Sequence, residues 1–161
     1  MRLAVSYFYQ IRFFKPYMIP LSTAVWDPKW YHQNKGEKYN YLDSNGVING
    51  LRIRYLRPDE SCDGLCRDPE TCSCGNPNGC QFLKVYEEQL NKIDFDRFNS
   101  YLKLVGTEVK KQIGFSEEPL FVFIVHEATT KQCSERCKII KVLREHGYDI
   151  DELQYPINQY Y

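Results

Sequence analysis

Five of the chain's seven cysteines fall within the twenty residues SCDGLCRDPETCSCGNPNGC, at Cys62, Cys66, Cys72, Cys74 and Cys80. Thiolates in short-range pairs divided by turns are the donor set that zinc takes in a tetrahedral site. The spacing, Cys-x3-Cys-x5-Cys-x-Cys-x5-Cys, offers five candidates for four places. Cys62, Cys66, Cys72 and Cys80 fit best, because Cys74 lies one residue from Cys72, where joint chelation is awkward; Cys74 is the alternative ligand. An iron–sulfur cluster uses the same ligands, and disulfides are the rival in an exported chain. Gly64, Pro69, Gly75, Pro77 and Gly79 bar a helix or a central strand here. With Leu65 almost its only apolar residue, the loop has little burial to order it. A structural metal would supply on the order of 10–16 kcal/mol.

A second constellation stands at Val125-His126-Glu127, followed by Cys133-Ser134-Glu135-Arg136. His126 can act as a general base or a metal ligand, and Glu127 can orient it or serve as an acid. Amides at the start of a helix near Ser134 suit an anion, and Arg136 can hold a phosphate or carboxylate in two-pronged fashion. The plain alternative is a structural His–Glu pair at a strand end. Cys133 and Cys137, four apart, read as small core residues on an apolar helix face.

Elements must position these groups. Leu3–Phe8 reads as a first strand and Met18–Val25 as a second, with Pro20 marking an edge or a bulge. Gln10–Lys15 reads as one helical turn stopped by Pro16, a short link for a parallel crossover. Trp26–His32 is aromatic and irregular. Residues 33–50 form a polar insertion in which Asn45-Gly46, between Tyr41-Leu42 and Val47-Ile48, signals a small hairpin. Leu51–Leu56 alternates apolar with arginine, as a half-buried strand does. Phe82–Ile93 and Phe95–Ile113 carry apolar residues at helical spacing, with Gly114 as a stop. Leu120–Val125 (LFVFIV) is apolar throughout, as an interior strand covered on both faces requires. A third helix follows, ending near Gly147, and Ile150–Tyr155 reads as a last strand. Helices set between strands predict one α/β domain over residues 1–161: three layers, Rossmann-like, with a mostly parallel sheet and helices on both faces. The loop of residues 61–80 and the hairpin are additions to it.

Composition narrows the partners. Over 161 residues, Lys plus Arg and Asp plus Glu each total 21, so bulk attraction to phosphate is absent. A chain of this length buries roughly 70% of its unfolded surface and has a real core. No apolar run reaches membrane-span length. The start, MRLAVSYFYQIRFFK, lacks a signal-peptide core and cleavage site, so a reducing, cytoplasmic location is expected. Thirteen Tyr and nine Phe serve mainly packing, though rings near a site can stack on bases.

Three segments are similar to the domain-of-unknown-function 488 family, in its short forms from bacteria and phages, and together cover about half the chain. VSYFYQIRFF…MIPLSTAVWDPKW resembles that family's Thr-Ser-Tyr-Tyr strand, short linker and second strand with a following Pro-x-Trp. Leu51–Pro58 resembles the strand before its variable insertion. FVFIVHEATTKQCSERCKIIKVLREHGYDI resembles its apolar strand, Cys-x-Glu loop, Cys-His-Arg element and helix. Here His126 stands where the family has Cys, Glu127 and Cys133 match, Ser134 and Glu135 replace the His and Arg, and Arg136 is displaced by one. The cysteine loop is additional. The resemblance implies a Rossmann-like three-layer domain and no particular reaction. Two functional expectations follow. In the first, an enzyme or binding domain takes a nucleotide, nucleobase or nucleic acid in a crevice lined by Tyr7, Phe8, Trp26, Trp30, His126, Glu127, Ser134 and Arg136. In the second, a metal-stapled module recognises a protein partner without catalysis.

Overall fold

The computed structural model describes residues 1–32, 40–65, 79–126 and 134–153. Its centre is a four-stranded parallel sheet in the order β2-β5-β1-β6. These strands are β1 (Arg2–Tyr7), β2 (Met18–Ser22), β5 (Leu120–Val125) and β6 (Ile150–Glu152). All six residues of β5 are buried, and its position between β1 and β2 explains why no polar residue interrupts LFVFIV. Alternate side chains go to opposite faces. Phe121, Phe123 and Val125 join Leu3, Val5, Ile19 and Leu21 on one face; Leu120, Val122 and Ile124 join Ala4 and Met18 on the other.

The first face is covered by three amphipathic helices, α2 (Gln81–Leu90), α3 (Phe95–Ile113) and α4 (Glu135–Glu145). Asp94 caps α3 by accepting from the Arg97 amide at 3.1 Å, and Gly114, in the left-handed region at φ 82°, ends it. Glu87 of α2 joins Lys138 at 3.1 Å and Lys141, tying α2 to α4. The two faces are covered by elements of different size. Among the described residues, the second face is covered by a 3-10 helix (Phe8–Phe13), a single-turn helix α1 (Lys29–His32) and Val47 beside the hairpin β3 (Tyr41–Leu42) and β4 (Ile48–Asn49). The physical reason is length. Phe8–Tyr17 must carry the chain from β1 past β5 to β2, which leaves no room for an α-helical crossover.

Pro20 does mark an edge. The Ser22 amide donates to the Leu51 carbonyl, and the Ser22 carbonyl accepts from Ile53, so even-numbered residues of β2 turn their backbone outward. Thr23 turns inward, donating to Ile124. Pro20 shares the parity of Ser22, so its missing N–H is lost from no bond to β5. Leu51–Leu56 is not a full strand: it forms one parallel bridge, Ser22 with Arg52, then winds into a 3-10 turn at Arg54–Leu56. No helix among the described residues is long and apolar enough to cross a membrane.

Candidate binding site at the carboxyl ends of the strands

β1 and β5 lie side by side, with Tyr7 opposite Val125. The chain leaving β1 packs on the second face through Phe8 and Ile11, whereas α4, which follows β5, packs on the first through Ile139, Val142 and Leu143. Two neighbouring strands whose continuations part to opposite faces leave a crevice at their carboxyl ends, the place where open α/β sheets collect ligands. Phe8 and His126 meet at this end of the sheet.

The structure gathers four of the residues expected there. The His126 ring lies 4.9 Å from that of Phe8 and 4.7 Å from that of Trp26, and Phe8 meets Trp30 edge-on at 6.1 Å. Phe8 is buried, while Trp26 is 68% and Trp30 44% exposed. His126 is exposed, and its Nε2 donates to the Trp26 carbonyl at 2.8 Å. A carbonyl only accepts, so the proton sits on Nε2, and in the neutral ring Nδ1 keeps its lone pair as an acceptor or base.

Other expected residues lie elsewhere. Tyr7 packs toward the helix-covered face and stacks with Tyr9 at 6.4 Å. Arg136 is buried, with Nε on Glu152 at 2.6 Å. Ser134 caps α4, its Oγ accepting from the Arg136 amide at 3.3 Å. Glu127 and Cys133 lie outside the described residues, as do Cys66, Cys72 and Cys74. Cys62 and Cys80, at the two ends of the cysteine segment, are buried in one apolar cluster that includes α2. Among the described residues no three potential ligands converge on a metal position. The Cys137 thiol donates to the Ser134 carbonyl at 3.0 Å, and burial pushes its pKa up, which suits a packed thiol rather than a nucleophile.

Sequence reasoning missed a network one residue beyond Trp26. The Asp27 carboxylate is 1% exposed and accepts from Ser22 Oγ, from His32 Nε2 at 2.6 Å and from Arg52 Nε at 2.6 Å. Because Nε2 gives its proton to Asp27, the Arg52 Nη2 at 3.0 Å from it is not a donor to the ring; His32 and Arg52 share Oδ2 through Nε2 and Nε. Tyr31 turns back beneath the network, donating to the Leu51 carbonyl at 2.6 Å with the Pro20 carbonyl 3.1 Å away. Burial, then the nearby Asp27, hold its phenol well above its usual pKa, so it remains a donor. The available signal was an Asp-Pro pair opening a helical turn that ends in His.

A cleft of about 660 Å³ adjoins this network at the outer edge of β2, walled by Ser22, Arg52, Arg54, Arg57, Tyr55 and Tyr101. Burial raises the Tyr101 pKa, Tyr55 adds to the effect and Arg54 opposes it. The chain therefore brings a histidine–aromatic cluster and a basic cleft to the carboxyl end of one parallel sheet. No family model, curated protein or solved structure matches the chain.

Proposed function

We propose that this protein is a nucleotide-, nucleobase- or nucleic-acid-binding α/β domain whose base site is the exposed aromatic surface around His126, at the carboxyl ends of β1 and β5. The observation that carries the reading is the meeting of Phe8, Trp26, Trp30 and His126 where β1 and β5 send the chain to opposite faces. Exposed indole faces suit base stacking, worth about 1–3 kcal/mol per base, and the His126 Nδ1 suits a donor on the base edge or a proton to be moved. A Rossmann-like three-layer arrangement, kinship with the domain-of-unknown-function 488 family and a cytoplasmic location belong to the same proposal. Calorimetry over a panel of nucleotides, nucleobases and short single-stranded oligonucleotides tests it. His126→Ala and Trp26→Ala should keep the fold and weaken binding at least tenfold. Wild-type protein that binds nothing on the panel overturns the reading.

The cysteine segment enters as a structural site for zinc, or alternatively an iron–sulfur cluster, with Cys62, Cys66, Cys72 and Cys80 as ligands and Cys74 as the alternative. Supporting it, the two described members are held at the roots of the segment by burial in the cluster that includes α2. Metal analysis and a visible spectrum of anaerobically purified protein distinguish the two, and Cys66→Ser should release the metal. A metal-stapled protein-interaction module is the second reading. It draws on the exposed rings of Tyr9 and Phe13, 6.3 Å apart, and gains if the panel fails while the metal is present.

A further inference from the structure

We propose that Arg52, Arg54 and Arg57 form an anion site that takes a phosphate group in the cleft beside β2, apart from the aromatic surface around His126. Backbone phase brings the three together. Ile53 is extended, so Arg52 and Arg54 leave the chain on the same side. Arg54–Leu56 is a 3-10 turn, closed by the Arg57 amide on the Arg54 carbonyl at 3.2 Å, and residues three apart eclipse in that geometry. A period of two followed by a period of three thus brings all three arginines to the same cleft.

The backbone beneath them is fixed from three other elements. Tyr101 of α3 donates to the Arg52 carbonyl at 2.8 Å, Tyr86 of α2 to that of Leu56, and Gln89 of α2 to that of Arg57 at 2.6 Å. Ser22 of β2 holds the same segment by its bridge to Arg52. A site so pinned loses little further freedom when it binds.

The charges separate what is structural from what is available. Arg52 gives its Nε to Asp27, which His32 and Ser22 complete. Elsewhere buried cations are matched, Arg136 by Glu152 and Lys138 by Glu87. Among the described residues, the guanidinium groups of Arg54 and Arg57 have no carboxylate partner and no carboxylate lines the cleft. Planar arginine forks match phosphate oxygens in pairs. At about 660 Å³ the cleft accommodates a phosphate or diphosphate, with Tyr55 and Tyr101 as an aromatic wall for whatever the phosphate carries.

Titration calorimetry at low salt with inorganic phosphate, pyrophosphate, ADP and a short single-stranded oligonucleotide tests the site. Wild type should bind pyrophosphate more tightly than phosphate. Arg54→Ala and Arg57→Ala should each weaken it about tenfold, and the double variant should abolish it with an unchanged thermal transition. Trp26→Ala should leave pyrophosphate binding intact, which separates this site from the aromatic surface. The ADP and oligonucleotide arms tell a free phosphate ester from a nucleic-acid backbone. Should the double alanine variant fail to fold, Arg54→Lys with Arg57→Lys replaces it, keeping charge but losing the forks, and a several-fold loss is expected. Absence of pyrophosphate binding at millimolar concentration, or binding unaffected by these substitutions, overturns the proposal.

Discussion

Asp27 is the residue on which the carboxyl edge turns. Its buried carboxylate satisfies Ser22, His32 and Arg52 together, and so links the end of β2, the turn α1 and the arginine-bearing segment. Asp27→Asn keeps the shape but removes the charge that the Arg52 guanidinium pairs with. An amide also presents one acceptor oxygen in place of two. Leaving charged donors under-satisfied costs about 1.5–3 kcal/mol, so urea unfolding should show a loss of that size. A loss below about 0.5 kcal/mol would mean that solvent already holds Arg52, which is 47% exposed. Little of this network is legible in the sequence. WDPKWYH looks irregular because its order comes from contacts with Ser22 and Arg52, which lie in other segments. His126 and its aromatic neighbours are legible, since they end or follow strands that hydropathy marks plainly.

At the scale of elements, the helix that seats the sheet carries its own test. Gly106 of α3 faces β5 so closely that an added Cβ would stand 2.8 Å from Phe121 Cζ. Helix propensity alone would favour Gly106→Ala by about 1 kcal/mol. Overpacking a buried ring costs about 1–3 kcal/mol, so the substitution should lower stability by about 1 kcal/mol; a rise would show that Phe121 moves aside freely. The α2–α4 contact has a pH signature. Hydrogen bonding from Lys141 first, and Lys138 after it, holds the Glu87 carboxyl below its ordinary pKa. Its contribution is therefore present above the usual carboxylate range and lost as pH falls through the lowered value. Stability measured against pH should drop less steeply on the acid side in Glu87→Gln than in wild type. Identical acid limbs would show that the pairs contribute nothing. Amphipathic periodicity makes α2, α3 and α4 readable from the amino acids alone, to within a few residues at their ends. LRIRYLR misleads for a physical reason: a 3-10 turn after an extended residue has the same alternation as a strand at its start.

For the whole molecule, strand order decides where function can sit. LFVFIV announces an interior parallel strand, and β5 has parallel neighbours on both sides. Sequence could not say that β5 enters between β1 and β2, which depends on long-range pairing. That insertion is what brings His126, at the end of β5, against Phe8, at the end of β1. The chain's two tryptophans, Trp26 and Trp30, both stand at that contact, so their fluorescence reports on it without a label. The most direct test is a tryptophan fluorescence titration of the wild-type protein with nucleotides and single-stranded oligonucleotides. Saturable quenching is expected, largely removed in Trp26→Phe and weakened in His126→Ala. Emission that stays unchanged to millimolar ligand, in protein with an intact thermal transition, would contradict it.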